Sequence, residues 1–413
     1  MKKYSVIPPA LHTSGIQVGV LTGAHFLVDM LGGLLPGFLP VALVYFDINL
    51  GLGVVILSSV SIGCNLMQIP ASLLGRAMRS PTLLTIGLVM AGLIVLLGAM
   101  PRETPVWVLC ILMVTVGCGI ALVHPHGLRG TQHARKVAVS VSTPVFMTGG
   151  FLGGAVGPWL SSLLVGHYGL KGLSWLILPV VLVIGGLWLT HVKLTPDQPV
   201  QKTPDEPHTE VQSGSECPWG FANLCLIATL LNMGTTTIQA LLPSYLNTLK
   251  YSLSFGGFCS MLFGIGSAVG SISIGVLVRK YRCTPFVLGG LLLGAPVMLI
   301  YFLLSKYSVA CLLIPLGGLL ASSCFPLLVS LSRNAEGGLS TSMRMGLIVG
   351  GTWGFAGVVL LVIGQIAARI GLAPVMHLSW IFYVCALLAA VLPLKKDVRR
   401  ERRTPSCNFP VIS

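Results

Sequence analysis

The apolar residues of this chain are gathered into twelve long runs, and that spacing constrains the fold more than any single motif. An α-helix crossing a bilayer needs about 20 mostly apolar residues. Runs of that kind lie near residues 17–46, 51–75, 82–100, 105–125, 138–166 and 173–192. Six more lie near 219–246, 254–278, 284–304, 307–331, 341–370 and 374–394. Residues 193–218 separate the two sets with Pro, Asp, Glu, Gln, Thr and Ser and no apolar period, so they read as a flexible linker. Composition agrees with a membrane protein: 54% of residues are hydrophobic and 9% charged, where a soluble domain carries roughly a quarter charged. The expected fold is therefore an all-α integral membrane protein of twelve transmembrane helices. Its expected parts are a six-helix bundle over 1–192, a linker over 193–218, a second six-helix bundle over 219–394 and a basic tail over 395–413.

A net charge of +14 does not point to nucleic acid here, because the basic residues sit in short segments between apolar runs. If the termini and linker share one side, twenty of the 25 Lys and Arg residues fall on that side. This bias predicts that both termini and the linker are cytoplasmic. The tail from Lys395 to Arg403 serves the same anchoring role and suits acidic lipid headgroups as well. The 11 cysteines form no CxxC pair and lie mostly inside apolar runs, which argues for packing rather than disulfides or zinc. His124, His126 and His133 are close in sequence, but no carboxylate or thiolate accompanies them, so neither a metal nor a cofactor is expected.

The two halves resemble each other at a period of about 200 residues. Leu35-Pro36-Gly37-Phe38-Leu39 matches Leu242-Pro243-Ser244-Tyr245-Leu246. The basic turn Ala71–Pro81 matches Gly275–Pro285 without gaps. His124-Pro125 falls opposite Phe325-Pro326, Gly149-Gly150 opposite Gly350-Gly351, and Leu173-Ser174-Trp175 opposite Leu378-Ser379-Trp380. Repeats with an even number of crossings share one orientation, so the halves are related by an axis along the membrane normal. On these features the chain resembles the major facilitator superfamily over essentially its whole length. That resemblance implies a monomeric secondary transporter that rocks two bundles about a central site and takes a small-molecule substrate.

Shorter segments carry a finer resemblance. Gly153-Gly154-Ala155-Val156-Gly157-Pro158 resembles the GxxxGP core of the superfamily's antiporter motif. Small residues there permit close helix contact, and proline permits a bend. The turn bearing Arg76 and Arg79, with its mate bearing Arg279, stands where the superfamily has a basic gating loop. His25-Phe26-Leu27-Val28-Asp29 and Val123-His124-Pro125-His126-Gly127 resemble the fosmidomycin-resistance branch, whose members are proton-driven drug exporters of the bacterial inner membrane. That branch has His-x-x-x-Asp in its first helix and His-Pro-acid in its fourth; this chain departs from it by having His126 at the acid position.

Of the 11 acidic residues, Asp29 alone lies well inside an apolar run. A charged carboxylate at a helix centre costs about 2.5–3.5 kcal/mol on insertion scales, so such residues are usually functional. His25 lies one helical turn before it on the same face. Asp29, His25 and His124 are the candidate proton-coupling residues; a neutral aspartic acid in a packed interface is the alternative for Asp29. The second half is expected to have no buried charge, so its candidates are neutral groups. Asn232, Thr236 and Gln239 share one face of the seventh run, and with Tyr245, Phe38 and Phe146 they are the candidate substrate-binding residues. Gly153, Gly157 and Pro158, with Arg76, Arg79 and Arg279, are the candidates for conformational change.

The leading expectation is proton-coupled export of a drug-like or anionic compound. Export of an endogenous metabolite, such as a metal-chelating compound, and proton-symport uptake are the alternatives. No nucleophile–base pair or phosphate loop points to an enzyme.

Overall fold

The computed structural model describes every residue except 1–8, 75–79, 133, 135–136, 193, 195–217, 279–280, 333–334, 336–337, 340 and 402–413. The described residues are helical almost throughout and contain no strand. In the first half six apolar helical spans run in order: α1 (Ser14–Tyr45), α2 (Leu50–Leu74), α3 (Thr82–Gly98), α4 (Val106–Gln132), α5 (Val141–Tyr168) and α6 (Leu170–Leu189). The second half repeats the pattern with α7 (Phe221–Thr248), α8 (Leu253–Leu277), α9 (Cys283–Leu304), α10 (Ser308–Ser332), α11 (Met343–Ile370) and α12 (Leu372–Pro393). Eleven are long and apolar enough to cross a bilayer, and α3 is a shorter apolar helix ending in 3-10 turns over Leu93–Gly98. Helices suit this setting because they satisfy their own backbone groups where no water is available.

Two boundaries differ from expectation. The fourth run was expected to end near Pro125, but its helix continues to Gln132. Proline removes one backbone hydrogen bond and bends a membrane helix without ending it. His124 is thereby carried about two turns inside α4. The last helix also passes the expected end of the second bundle, running on to Glu401 in the basic tail.

The packing shows the repeat. In the first half Gly63 of α2 meets the Val114 carbonyl of α4, and Gly117 of α4 meets the Val60 carbonyl of α2. In the second half Gly266 of α8 meets the Pro315 carbonyl of α10, and Gly318 of α10 meets the Phe263 carbonyl of α8. Corresponding helices are thus pressed together by corresponding glycines, the close approach that small residues allow between membrane helices.

The halves meet chiefly along two seams. One joins α5 to α8, where Gly264 faces Ala155 and Gly257 faces Pro158 and Ser162. The other joins α2 to α11 and loosens along its length. A Cβ on Gly51 would stand 2.8 Å from Gln365, and one on Gly364 would stand 2.5 Å from Val54. Further along, the corresponding distances are 3.3 Å from Gly357 to Ser61, 3.5 Å from Gly354 to Asn65 and 3.6 Å from Gly350 to Gln68. The seam is therefore tight at the end away from the linker and slackens toward the linker end.

Candidate functional site

Asp29 lies midway along α1, within the 32 residues of that span. Its carboxylate is the meeting point of two histidines. His124 of α4 places Nε2 at 2.8 Å from Asp29 Oδ1, and His25, one turn earlier on α1, places Nε2 at 3.3 Å from Oδ2. The two imidazoles stand edge to face, with ring centres 5.0 Å apart. The three candidate coupling residues are therefore gathered into one cluster. Sequence spacing accounts for the His25–Asp29 pair, and the continued helix through Pro125 brings in His124.

The third wall is α5. The Phe146 ring stacks on His25 with centres 4.1 Å apart, and the Phe146 carbonyl lies 2.7 Å from His25 Nδ1. A carbonyl can only accept, so His25 Nδ1 carries the hydrogen. Below the pair lies Gly150, where a Cβ would collide with the His25 ring and stand 2.5 Å from Asp29 Oδ2. The same face of α5 presents Gly153 to the Phe26 carbonyl and Gly157 to the Met30 carbonyl and to Gly33. The proline side chain of Pro158 also reaches Gly33, where α1 is interrupted between two helical pieces. Ser161 donates a 2.7 Å hydrogen bond to the Leu34 carbonyl. The GxxxGP segment is thus the surface on which α1, with its carboxylate, is seated.

Proton bookkeeping follows from these contacts. His124 needs only its Nε2 hydrogen to donate to Oδ1. With its hydrogen on Nδ1, a neutral His25 presents a bare Nε2 lone pair to Oδ2. Two acceptors facing each other would repel, so this arrangement calls for one further proton, on Nε2 or on Oδ2. With it the cluster is neutral overall; without it a net negative charge stays in the bilayer interior, which is costly.

The ligand atoms of His25, Asp29 and His124 all lie within 4.8 Å of one another, a donor set that invites a metal test. Ligands about 2.0–2.1 Å from a tetrahedral zinc stand roughly 3.3 Å apart. His124 Nε2 and Asp29 Oδ1 are closer than that, at 2.8 Å, which is the distance of a shared hydrogen. The arrangement fits a proton. The other histidines do not join it: His126 points away and sits 3.4 Å from Arg129 Nη2, and His133 is outside the described residues.

The second-half candidates fall in two places. Asn232 is fully buried and donates a 2.9 Å hydrogen bond from Nδ2 to Thr352 Oγ1 of α11, leaving its own Oδ1 without a hydrogen-bond partner. One turn on, Thr236 has a buried hydroxyl that also lacks one, and Gln239 is half-buried a turn further along. Tyr245 is not with them. It lies at the far end of α7, with its hydroxyl 2.7 Å from Ser305 Oγ and 2.8 Å from His377 Nε2. Phe38 is buried in the apolar core, and Phe146 belongs to the histidine–carboxylate cluster. Arg76, Arg79 and Arg279 are outside the described residues.

Sequence reasoning missed Thr352, which directly follows the Gly350-Gly351 repeat match and sits next to a π-helical turn over Leu347–Gly351. It also missed Thr235, whose hydroxyl lies 3.0 Å from Ser322 Oγ and 3.3 Å from Tyr383 OH. Ser322 belongs to a 3-10 break in α10. Such departures from α geometry in membrane helices are frequent at functional sites.

Two six-helix bundles sharing one orientation, with an ionisable cluster midway along a span, define a secondary transporter. The family model of the Major Facilitator Superfamily matches residues 21–338, and the chain belongs to that superfamily. Solved structures agree on the fold. A bacterial homologue of the human lysosomal transporter Spinster, in an inward-facing and unoccupied conformation, superposes with a TM-score of 0.72 at 14% identity, covering 97% of this chain and 100% of that one. The nucleoside transporter NupG gives 0.68 at 13% identity, covering 92% and 99% of the two chains. A D-xylose–proton symporter gives 0.65 at 15% identity, covering 92% and 97%. No curated protein matches the sequence.

Proposed function

We propose that the protein is a proton-coupled antiporter that exports a small organic compound by alternating access. The observation that carries this reading is the Asp29 carboxylate, half-buried midway along α1 and held by His25 and His124 in a geometry that calls for one additional proton. A group that takes up a proton in one conformation and gives it up in another converts a proton gradient into directed transport. Export is favoured over uptake by the GxxxGP surface of α5, which seats the proton-bearing helix. The resemblance of the His25–Asp29 and His124-Pro125 segments to fosmidomycin exporters supports the same direction. The substrate is taken by neutral hydrogen-bonding groups of the second half around Asn232, Thr236 and Gln239. With both termini and the linker in the cytoplasm, the slack end of the α2–α11 seam faces inward.

The test uses energised inside-out vesicles containing the full chain and a pH-sensitive dye. Fosmidomycin, cationic drugs and small acidic metabolites are added in turn. Substrate-triggered proton release from the lumen that vanishes in Asp29→Asn is the expected result. Proton movement in the same direction as the substrate would replace antiport by symport. Coupled release that persists in Asp29→Asn would overturn the assignment of the site.

A further inference from the structure

The exchangeable proton sits between His25 Nε2 and Asp29 Oδ2, yet the groups that oblige it to sit there belong to neither residue. We infer that the Phe146 carbonyl and Gly150, both on α5, are the positioning groups of the proton site: the carbonyl fixes which nitrogen of His25 faces the carboxylate, and the missing side chain at Gly150 lets the pair close. This inference rests on the proton-site reading above.

A free imidazole exchanges its two tautomers readily. The 2.7 Å contact from Nδ1 to the Phe146 carbonyl admits only the Nδ1–H form or the doubly protonated ring. The Phe146 ring, stacked at an interplanar angle of 19°, prevents the imidazole from swinging out of that contact. With Nδ1 committed, Nε2 has only a lone pair or the exchangeable proton to offer Asp29. Had the carbonyl been absent, His25 could place its single hydrogen on Nε2, donate it to Asp29 and satisfy the carboxylate without any additional proton. The carbonyl thus turns an ordinary histidine–carboxylate hydrogen bond into a site that demands one more proton.

Gly150 sets the distance. Any Cβ there overlaps His25 Cε1 and Nε2 and presses on Oδ2, so only glycine allows both groups to rest against α5. Titratable groups face the pair from two other helices: His124 of α4 through Oδ1, and the Cys64 thiol of α2, which lies within electrostatic range of Asp29. Among the described residues of α5 beside the pair, Phe146, Met147, Gly149, Gly150 and Gly153 are all uncharged. What α5 contributes is therefore geometry and a carbonyl dipole. Because α5 also carries Ala155, Pro158 and Ser162 in the seam with α8, a shift of the two halves that moves α5 along α1 withdraws the carbonyl and frees His25 to change tautomer. Proton demand becomes a property of the conformation.

Histidine 15N spectra of the full chain in lipid bilayers read the tautomer directly, with the His25 signals identified by their loss in His25→Gln. The expected result is a protonated Nδ1 across the pH range and a titrating Nε2. A His25 found in the Nε2–H form in the wild type would overturn the inference. Substrate-driven proton flux is then followed against pH in Gly150→Ala, with Gly166→Ala as control, since a Cβ at Gly166, further along α5, meets nothing within 4 Å. Gly150→Ala is expected to move the midpoint of that profile by about one pH unit or more toward acid, a tenfold higher proton concentration, while Gly166→Ala leaves it in place. Should Gly150→Ala fail to fold, the wild-type spectra decide alone. A folded Gly150→Ala protein with an unshifted midpoint overturns the role of Gly150. Loss of the proton-site reading itself would show separately, as coupled flux that survives Asp29→Asn.

Discussion

The two halves of this transporter are built on one packing scheme and filled with opposite chemistry. In the register set by Leu35-Pro36 and Leu242-Pro243, His25 falls opposite Asn232 and Asp29 opposite Thr236. The four-residue spacing is kept, so each half carries a pair of polar side chains one turn apart at the corresponding place. In the first half that pair is ionisable and is closed by His124 and the Phe146 carbonyl. In the second it is neutral: Asn232 is tied to Thr352, and both its Oδ1 and the Thr236 hydroxyl lack hydrogen-bond partners among the described residues. One scaffold thus carries two different sets of polar side chains. An ionisable cluster suits the proton coupling proposed above, whereas orphaned neutral acceptors and hydroxyls suit a substrate or water that brings its own donors.

The strongest way to break this comparison is to make the first half neutral as well. Asp29→Asn keeps the shape and removes the titrating oxygen, and substrate-driven proton movement in vesicles should fall by about 100-fold or more, the order expected on removing an acid–base group. A smaller loss separates His124→Phe from His124→Gln. Phenylalanine leaves Asp29 Oδ1 without its donor, while glutamine restores an N–H near the same place. Flux should therefore drop about tenfold or more with phenylalanine and recover in part with glutamine, because an unmet buried charge costs more than one hydrogen bond. Equal losses in both variants would show that the imidazole itself carries the proton.

In the second half, Asn232→Ala strands the Thr352 hydroxyl only in part, since Thr352 also donates to the Ile348 carbonyl at 2.6 Å. The expected cost is about 1–2 kcal/mol of stability, read as a lower midpoint in thermal unfolding, with weaker substrate response and an unchanged number of protons per substrate. A changed proton count would erase the division between halves.

Much of this arrangement is legible in the chain. Twelve apolar runs and the basic turns suffice for the architecture, because the bilayer leaves helices as the simplest way to satisfy backbone groups. Asp29 and His25 stand out because a carboxylate is rare inside such a run and four-residue spacing puts both on one face. What stays hidden is carried by contacts between distant segments. Nothing about Phe146 distinguishes a cavity wall from a stacked partner offering a backbone carbonyl, since carbonyls have no sequence signature. Pro125 reads as a helix end, and only the surrounding bundle shows that α4 passes through it. Thr352 is an ordinary threonine until α7 places Asn232 against it.

Tyr245 gives the smallest and most discriminating test of the comparison, because sequence placed it with the substrate groups and the fold places it elsewhere. It lies thirteen residues beyond Asn232 on α7, about 20 Å along a helix axis. Its hydroxyl bridges Ser305 at the end of α9 and His377 in α12, which ties three helices together at the end away from the linker. Tyr245→Phe should cost little even there. Ser305 keeps its 2.8 Å bond to the Phe302 carbonyl, and half-buried His377 can turn to water. The expected loss is therefore about 1 kcal/mol of stability, the net worth of a hydrogen bond, with substrate response and proton count both unaltered. A weakened substrate response with intact stability would move the substrate site outward along α7, and would mean that the neutral half works through its far end rather than through the position that mirrors Asp29.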